Sequence, residues 1–181
     1  MAYGAVMNTS SDEVGRNEQN AAPECRAEVQ VARLRLRSSL SPDDALEAVR
    51  EIGANLLGSE EVAVFKVDRR NAVLWLHWSC GVDTARYSIL DVFCEPRLEE
   101  VLEGKTLLLS DSGERPLLSL GDPVSALVPV FLDGAVAAVI VLFRLLSHKL
   151  ELDSADREVC EVLSSEAGRL LTPGRPNRQP R

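Results

Sequence analysis

Apolar positions along this chain keep two rhythms, and the sharpest stretch is 125–146, SALVPVFLDGAVAAVIVLFRLL, where β-branched runs flank Asp133-Gly134. A tight turn with positive φ at both central residues joins two strands without splaying them, and Asp-Gly accepts that backbone cheaply. The stretch predicts a buried hairpin. Residues 61–67 and 72–79, linked through Asp68-Arg69-Arg70-Asn71, carry the apolar and aromatic content of a second one.

The other rhythm is helical. Ser41-Pro42-Asp43-Asp44 supplies a capping hydroxyl, a proline at the first helical position and acidic groups at the positive end of the dipole. Ala45, Leu46, Val49, Ile52, Leu56 and Leu57 then share one face, and Gly58 stands where the chain must turn left-handed. Before it, 25–40 suits neither period cleanly, but Ala32, Leu36 and Leu40 fall four apart and favour a helix. Residues 95–103, closed by Gly104, predict a short helix, followed by a strand at 106–110 and a loop at 111–123. Asp153 or Ser154 caps a last helix with Ala155, Val159, Val162, Leu163, Ala167, Leu170 and Leu171 on one stripe, ending at Pro173-Gly174.

Residues 1–23 have too little apolar surface to offset the entropy of ordering and predict a flexible arm. Residues 172–181, rich in Pro and Arg, predict a loose basic tail. Between them, 24–171 predicts one α+β domain: a central antiparallel sheet of five or six strands with helices concentrated on one face.

A net charge of −8 and a pI near 4.9 oppose nucleic acid and anionic membrane surfaces as partners. The longest apolar run, 135–143, is too short to span a bilayer. Cys25, Cys80, Cys94 and Cys160 are scattered, and no secretion signal opens the chain, so reduced thiols in the cytoplasm are expected.

The capped helix before a strand hairpin (41–79), the short helix ending in Gly104-Lys105 before TLLLSD, and SALVPVFLDGAVAAVIVLF before a final amphipathic helix together resemble a GAF domain over about 40–171. The resemblance implies a PAS-like fold, with terminal helices on one face of the sheet and, on the other, a pocket roofed by loops and the short helix. It also implies a signalling role in which the pocket holds a small molecule or nothing, and terminal helices that pair two subunits.

Strict alternation along 72–79 places Ala72, Leu74, Leu76 and Trp78 on the helix-covered face, and Val73, Trp75, His77 and Ser79 on the other. An indole, an imidazole and a hydroxyl among apolar walls are the mix that orients a small ligand, so Trp75, His77 and Ser79 are the first pocket candidates. Cys94, before the short helix, and Ser125, before the hairpin, are the next. His77 and Cys80 lack the further ligands that a structural zinc site needs, and no metal is expected. Neither a tetrapyrrole-holding partner for Cys80 or Cys94 nor the Asn-Lys-Phe-Asp-Glu type of cyclic-nucleotide motif is present, so no cofactor is expected.

With two histidines and no phosphate loop, most acid-base and nucleophilic schemes lack parts. Cys94 matches in position the cysteine before the corresponding helix in GAF-type free methionine sulfoxide reductases. Those enzymes add glycines around it and further cysteines where this chain has Tyr87-Ser88-Ile89 and Leu117-Leu118-Ser119-Leu120. The expectation is therefore a non-enzymatic regulatory protein that senses a small ligand or contacts a signalling partner, as a homodimer through its terminal helices. The alternative is a docking module with a filled pocket.

Overall fold

The computed structural model describes residues 23–109 and 123–168. Their elements are α1 (Pro23–Arg37), α2 (Pro42–Asn55), β1 (Val62–Asp68), β2 (Val73–Cys80), β3 (Ile89–Asp91), α3 (Pro96–Leu102), β4 (Leu107–Leu108), β5 (Ala126–Leu132), β6 (Ala135–Leu142) and α4 (Ser154–Glu166). The N-terminal arm, the basic tail, most of the loop after β4, and Leu170 and Leu171 of the last stripe lie outside the described residues.

Local chemistry sets the ends of these elements. Ser41 Oγ accepts from the Asp44 N–H at 3.1 Å, with Pro42 in the first turn of α2. The open choice of cap for α4 resolves to Asp153: its carboxylate accepts from the N–H groups of Ala155 and Asp156, while the Asp156 carboxylate accepts from Asp153 N–H. This reciprocal pairing satisfies donors that a bare helix end leaves open. Asp133 and Gly134 have φ of 51° and 80°, the two positive values that a twisted two-residue hairpin requires.

The six strands form one antiparallel sheet in the order β3-β2-β1-β6-β5-β4, so the β5–β6 hairpin lies beside β1 at the centre. One face packs on α1, α2 and α4, with Val62, Val64, Val128, Ile140 and Leu142 meeting Leu36, Val49, Ile52 and Leu163. The other face carries Phe65, Leu74, Leu90, Leu127 and Phe143, packed against Leu98 and Val101 of α3.

Two β-bulges correct the alternation read from the sequence. Val64 pairs with Trp78 but Phe65 pairs with Leu76, which leaves His77 as an extra residue in β2. Leu74 and Leu76, with Ala72, therefore pack on the loop side, not the helix side, whereas Trp78 past the bulge packs on the helix side as expected. A second bulge leaves Ala137 extra in β6, between the pairs Val130–Ala138 and Phe131–Val136. Each bulge resets which face the following residues take.

The leading helix also ends earlier than expected, at Arg37. Ala32 and Leu36 are buried, while Leu40 beyond its end is 94% exposed.

Candidate functional site

The loop side of the sheet is the face on which a pocket was expected. Among the described residues it is a packed apolar core: Tyr87, Phe65, Phe143, Leu74, Leu90 and Leu98 are all buried. The Tyr87 and Phe143 rings meet with centroids 5.4 Å apart, a tilted aromatic contact of favourable geometry.

The five residues predicted to line one pocket do not come together. Ser79 pairs with Ala63 and lies on the loop side. Ser125 is buried at the start of β5, where its backbone N–H bonds Leu142 O and its carbonyl accepts from Leu109 N–H. Cys94 is exposed, just before Glu95, whose carboxylate caps α3. Trp75 and His77 are on the opposite side, because Trp75 alternates with Leu74 and Leu76 and His77 is the bulged residue.

On that helix side, among the described residues, one corner of the sheet is left uncovered. A shallow cleft of about 250 Å³, counting the solvent it opens onto, lies between Val64 and Lys66 of β1, Val130 of β5, Gly168 after α4, and the two bulged residues, His77 and Ala137. Bulges re-aim side chains and add twist, and they concentrate beside functional sites. Alternation cannot reveal a bulge, so the cleft was not legible in the strand pattern. Gly168 was a weak readable signal, since a glycine kept inside the apolar stripe of a helix usually has a packing reason. A Cβ there would lie 1.9 Å from the Phe131 carbonyl oxygen.

Among the described residues, Lys66 is the one charged side chain lining the cleft. His77 is exposed, and partial desolvation against the sheet lowers its imidazole below the ordinary value; Lys66 pushes it the same way, and Asp43 at the start of α2 opposes them. Among the described residues no acidic side chain pairs with Lys66. Asp68, farther along β1, is engaged by Asn71 and Trp75, which hold its carboxyl below the usual range.

The helical layer is tied by ion pairs. Arg33 and Arg37 of α1 both reach Glu166 near the end of α4, at 3.3 and 3.1 Å, and Arg35 pairs with Glu51 of α2. Val29, Ala32 and Leu36 fill the inner side of α1, yet Val31 and Leu34 remain 53% and 67% exposed on another side. Among the described residues no helix is long and apolar enough to cross a membrane.

No protein-family model and no curated protein sequence matches this chain. Solved structures do. The GAF domain of Acinetobacter phosphoenolpyruvate-protein phosphotransferase superposes with a TM-score of 0.63 at 14% identity, over 83% of this chain and 93% of that one. The A. aeolicus nlh2 GAF domain in an inactive state gives 0.58 at 14%, over 81% and 94%. The free methionine-R-sulfoxide reductase of Neisseria meningitidis, in complex with its substrate, gives 0.62 at 15%, over 84% and 92%. The chain has the GAF-domain fold, as its element order implied. The reductase corrects the expectation of a non-enzyme: this fold houses an enzyme, so the lack of other catalytic parts in the sequence does not exclude catalysis.

Proposed function

On the premise of a GAF fold, we propose that this chain is a regulatory module that works by binding, pairing with a second copy through α1 and its neighbours. The supporting observation is the second apolar side of α1. Val31 and Leu34, three apart on the helix, stay in water although the Val29–Ala32–Leu36 side is already covered. A two-fold pair would bury these side chains from both copies, each contributing about 1.5 kcal/mol or more if fully covered. The scattered free thiols agree with a reducing compartment such as the cytoplasm.

A small ligand regulates such a module only by binding two arrangements unequally. The ion pairs from Arg33 and Arg37 to Glu166 connect α1 to the element whose end borders the cleft, so the pair of terminal helices is the natural two-state element. Light scattering across a dilution series tests the reading: the wild-type chain runs as a dimer and Leu34→Glu as a folded monomer. A wild-type monomer at all concentrations overturns it.

The exposed Cys94 at the start of α3 favours a second reading, a free methionine sulfoxide reductase. Turnover of free methionine-R-sulfoxide that disappears in Cys94→Ser supports it, and absence of turnover in the reduced wild type refutes it.

A further inference from the structure

We infer that the helix-side cleft between the two bulges is a binding site for a small carboxylate carrying a short apolar tail, with Lys66 and His77 holding the carboxylate. This goes beyond the dimer reading and survives its failure, since every lining residue belongs to one subunit.

Three observations converge on that ligand class. The walls are apolar, from Val64, Val130 and the bulged Ala137. The polar groups at the rim are both nitrogen donors: a lysine with no acidic partner among the described residues, and a histidine aimed there by its bulge. Lys66 repels the charged form of the His77 imidazole on the neighbouring strand. A carboxylate between them relieves that repulsion and forms charge-assisted hydrogen bonds. The tail is short because the apolar wall is small, formed by Val64, Val130, Ala137 and Ala138 in a shallow cleft.

Among the described residues, the charges that face His77 from the surrounding elements are few. Lys66 comes from β1 and Asp43 from α2. Glu166 near the end of α4 is held by Arg33 and Arg37, and among the described residues β5 and β6 present Val130, Ala137 and Ala138. A bound anion therefore raises the proton affinity of His77, and by linkage the anion binds more tightly as pH falls through the His77 midpoint.

His77 and His148 are the two histidines of the chain, so proton NMR of the imidazole signals reads the site with an internal control. His77→Gln assigns the signals. With ionic strength held by chloride, isobutyrate is expected to move the His77 midpoint up by about one pH unit and to leave His148 in place, with binding up to about tenfold tighter at pH 5 than at pH 8. The neutral isostere isobutyramide leaves both signals unmoved, and Lys66→Met, or the milder Lys66→Gln, abolishes the isobutyrate effect. N-acetylvaline carries the same group at the end of a peptide unit; if it acts where isobutyrate does not, the site reads a chain terminus and the small-ligand proposal fails. It fails equally if His77 does not move, if both histidines move together, if the amide acts like the acid, or if the Lys66 variants keep the effect.

Discussion

Gly168→Ala adds one methyl group, and the structure sets its sign. The new Cβ would stand 1.9 Å from the Phe131 carbonyl oxygen and 2.8 Å from its carbon, where real Cβ atoms keep at least 3.0 Å. The obstruction is the backbone of a central strand, so no side chain can swing aside. The φ of Gly168 is not in the left-handed region, hence alanine meets no conformational penalty there. In the absence of the contact, the substitution would stabilise by about 0.4–1 kcal/mol through the unfolded chain.

Two routes relieve the clash, and both cost more than that gain. Keeping the end of α4 docked means an overpacked contact of about 1–3 kcal/mol. Lifting it exposes Ala167 and part of Leu163, both fully buried, at about 0.8 kcal/mol for each methylene-sized group returned to water. The net loss is about 1–2 kcal/mol or more, a fall in Tm of roughly 2–8 °C for a domain of this size. Urea unfolding followed by the emission of Trp75 and Trp78, both on β2, measures it. Gly134→Ala separates the two causes, because Gly134 has nothing within 4 Å but a φ of +80°, so its loss comes from backbone strain alone. A Gly168→Ala midpoint equal to or above the wild type refutes the close approach of α4 to β5.

Lys149 donates to Asp156 at 2.6 Å and to the Leu56 carbonyl at 3.3 Å, and the Asp156 side chain is only 4% exposed; Lys149→Met is expected to cost about 3 kcal/mol in denaturant unfolding, most of it recovered by adding Asp156→Asn. Burial pushes the Cys160 thiol up to about 12, so with iodoacetamide at pH 8 the exposed Cys94 labels in the native protein and Cys160 only in denaturant, as peptide mass mapping will show. Deletion of His77 removes the bulge without inverting any later side chain and is expected to cost less than about 2 kcal/mol, whereas deletion of Trp75 inverts Leu74 relative to Leu76 and prevents cooperative unfolding by circular dichroism.

What the sequence made legible is what short-range chemistry decides. Asp133-Gly134 admits the turn that pairs β5 with β6, Ser41 and Pro42 start α2, and the spacing of Val159, Val162 and Leu163 names the buried side of α4. These depend on neighbours within a few residues. β3 was missed because its three residues stand between turns capped by Asp83 and Asp91 and are too few to carry a period. The helix assigned to 25–40 was right in kind, but Leu40 continued a spacing that the end of α1 at Arg37 cuts off.

The candidate site was misplaced for a different reason. Alternation assigns every residue of a strand from any one of them, so a single bulge inverts all those on its far side. Trp78 and Ser79, past His77, take the faces that alternation gave them, while Trp75 on the near side takes the opposite one. The extra residue became visible only through the partners of β1, a long-range relation that the local pattern of β2 does not encode. The same relation places the cleft: Lys66–Ala138 is the last pair between β1 and β6, and the bulged His77 and Ala137 border it on either side. Glu166 lies two residues before Gly168 and holds both Arg33 and Arg37, so the chain that borders the cleft is also the chain that anchors α1. A ligand in the cleft can reposition α1 only by favouring one placement of this turn over another, and the fully packed Phe131–Gly168 contact leaves little room for intermediate placements.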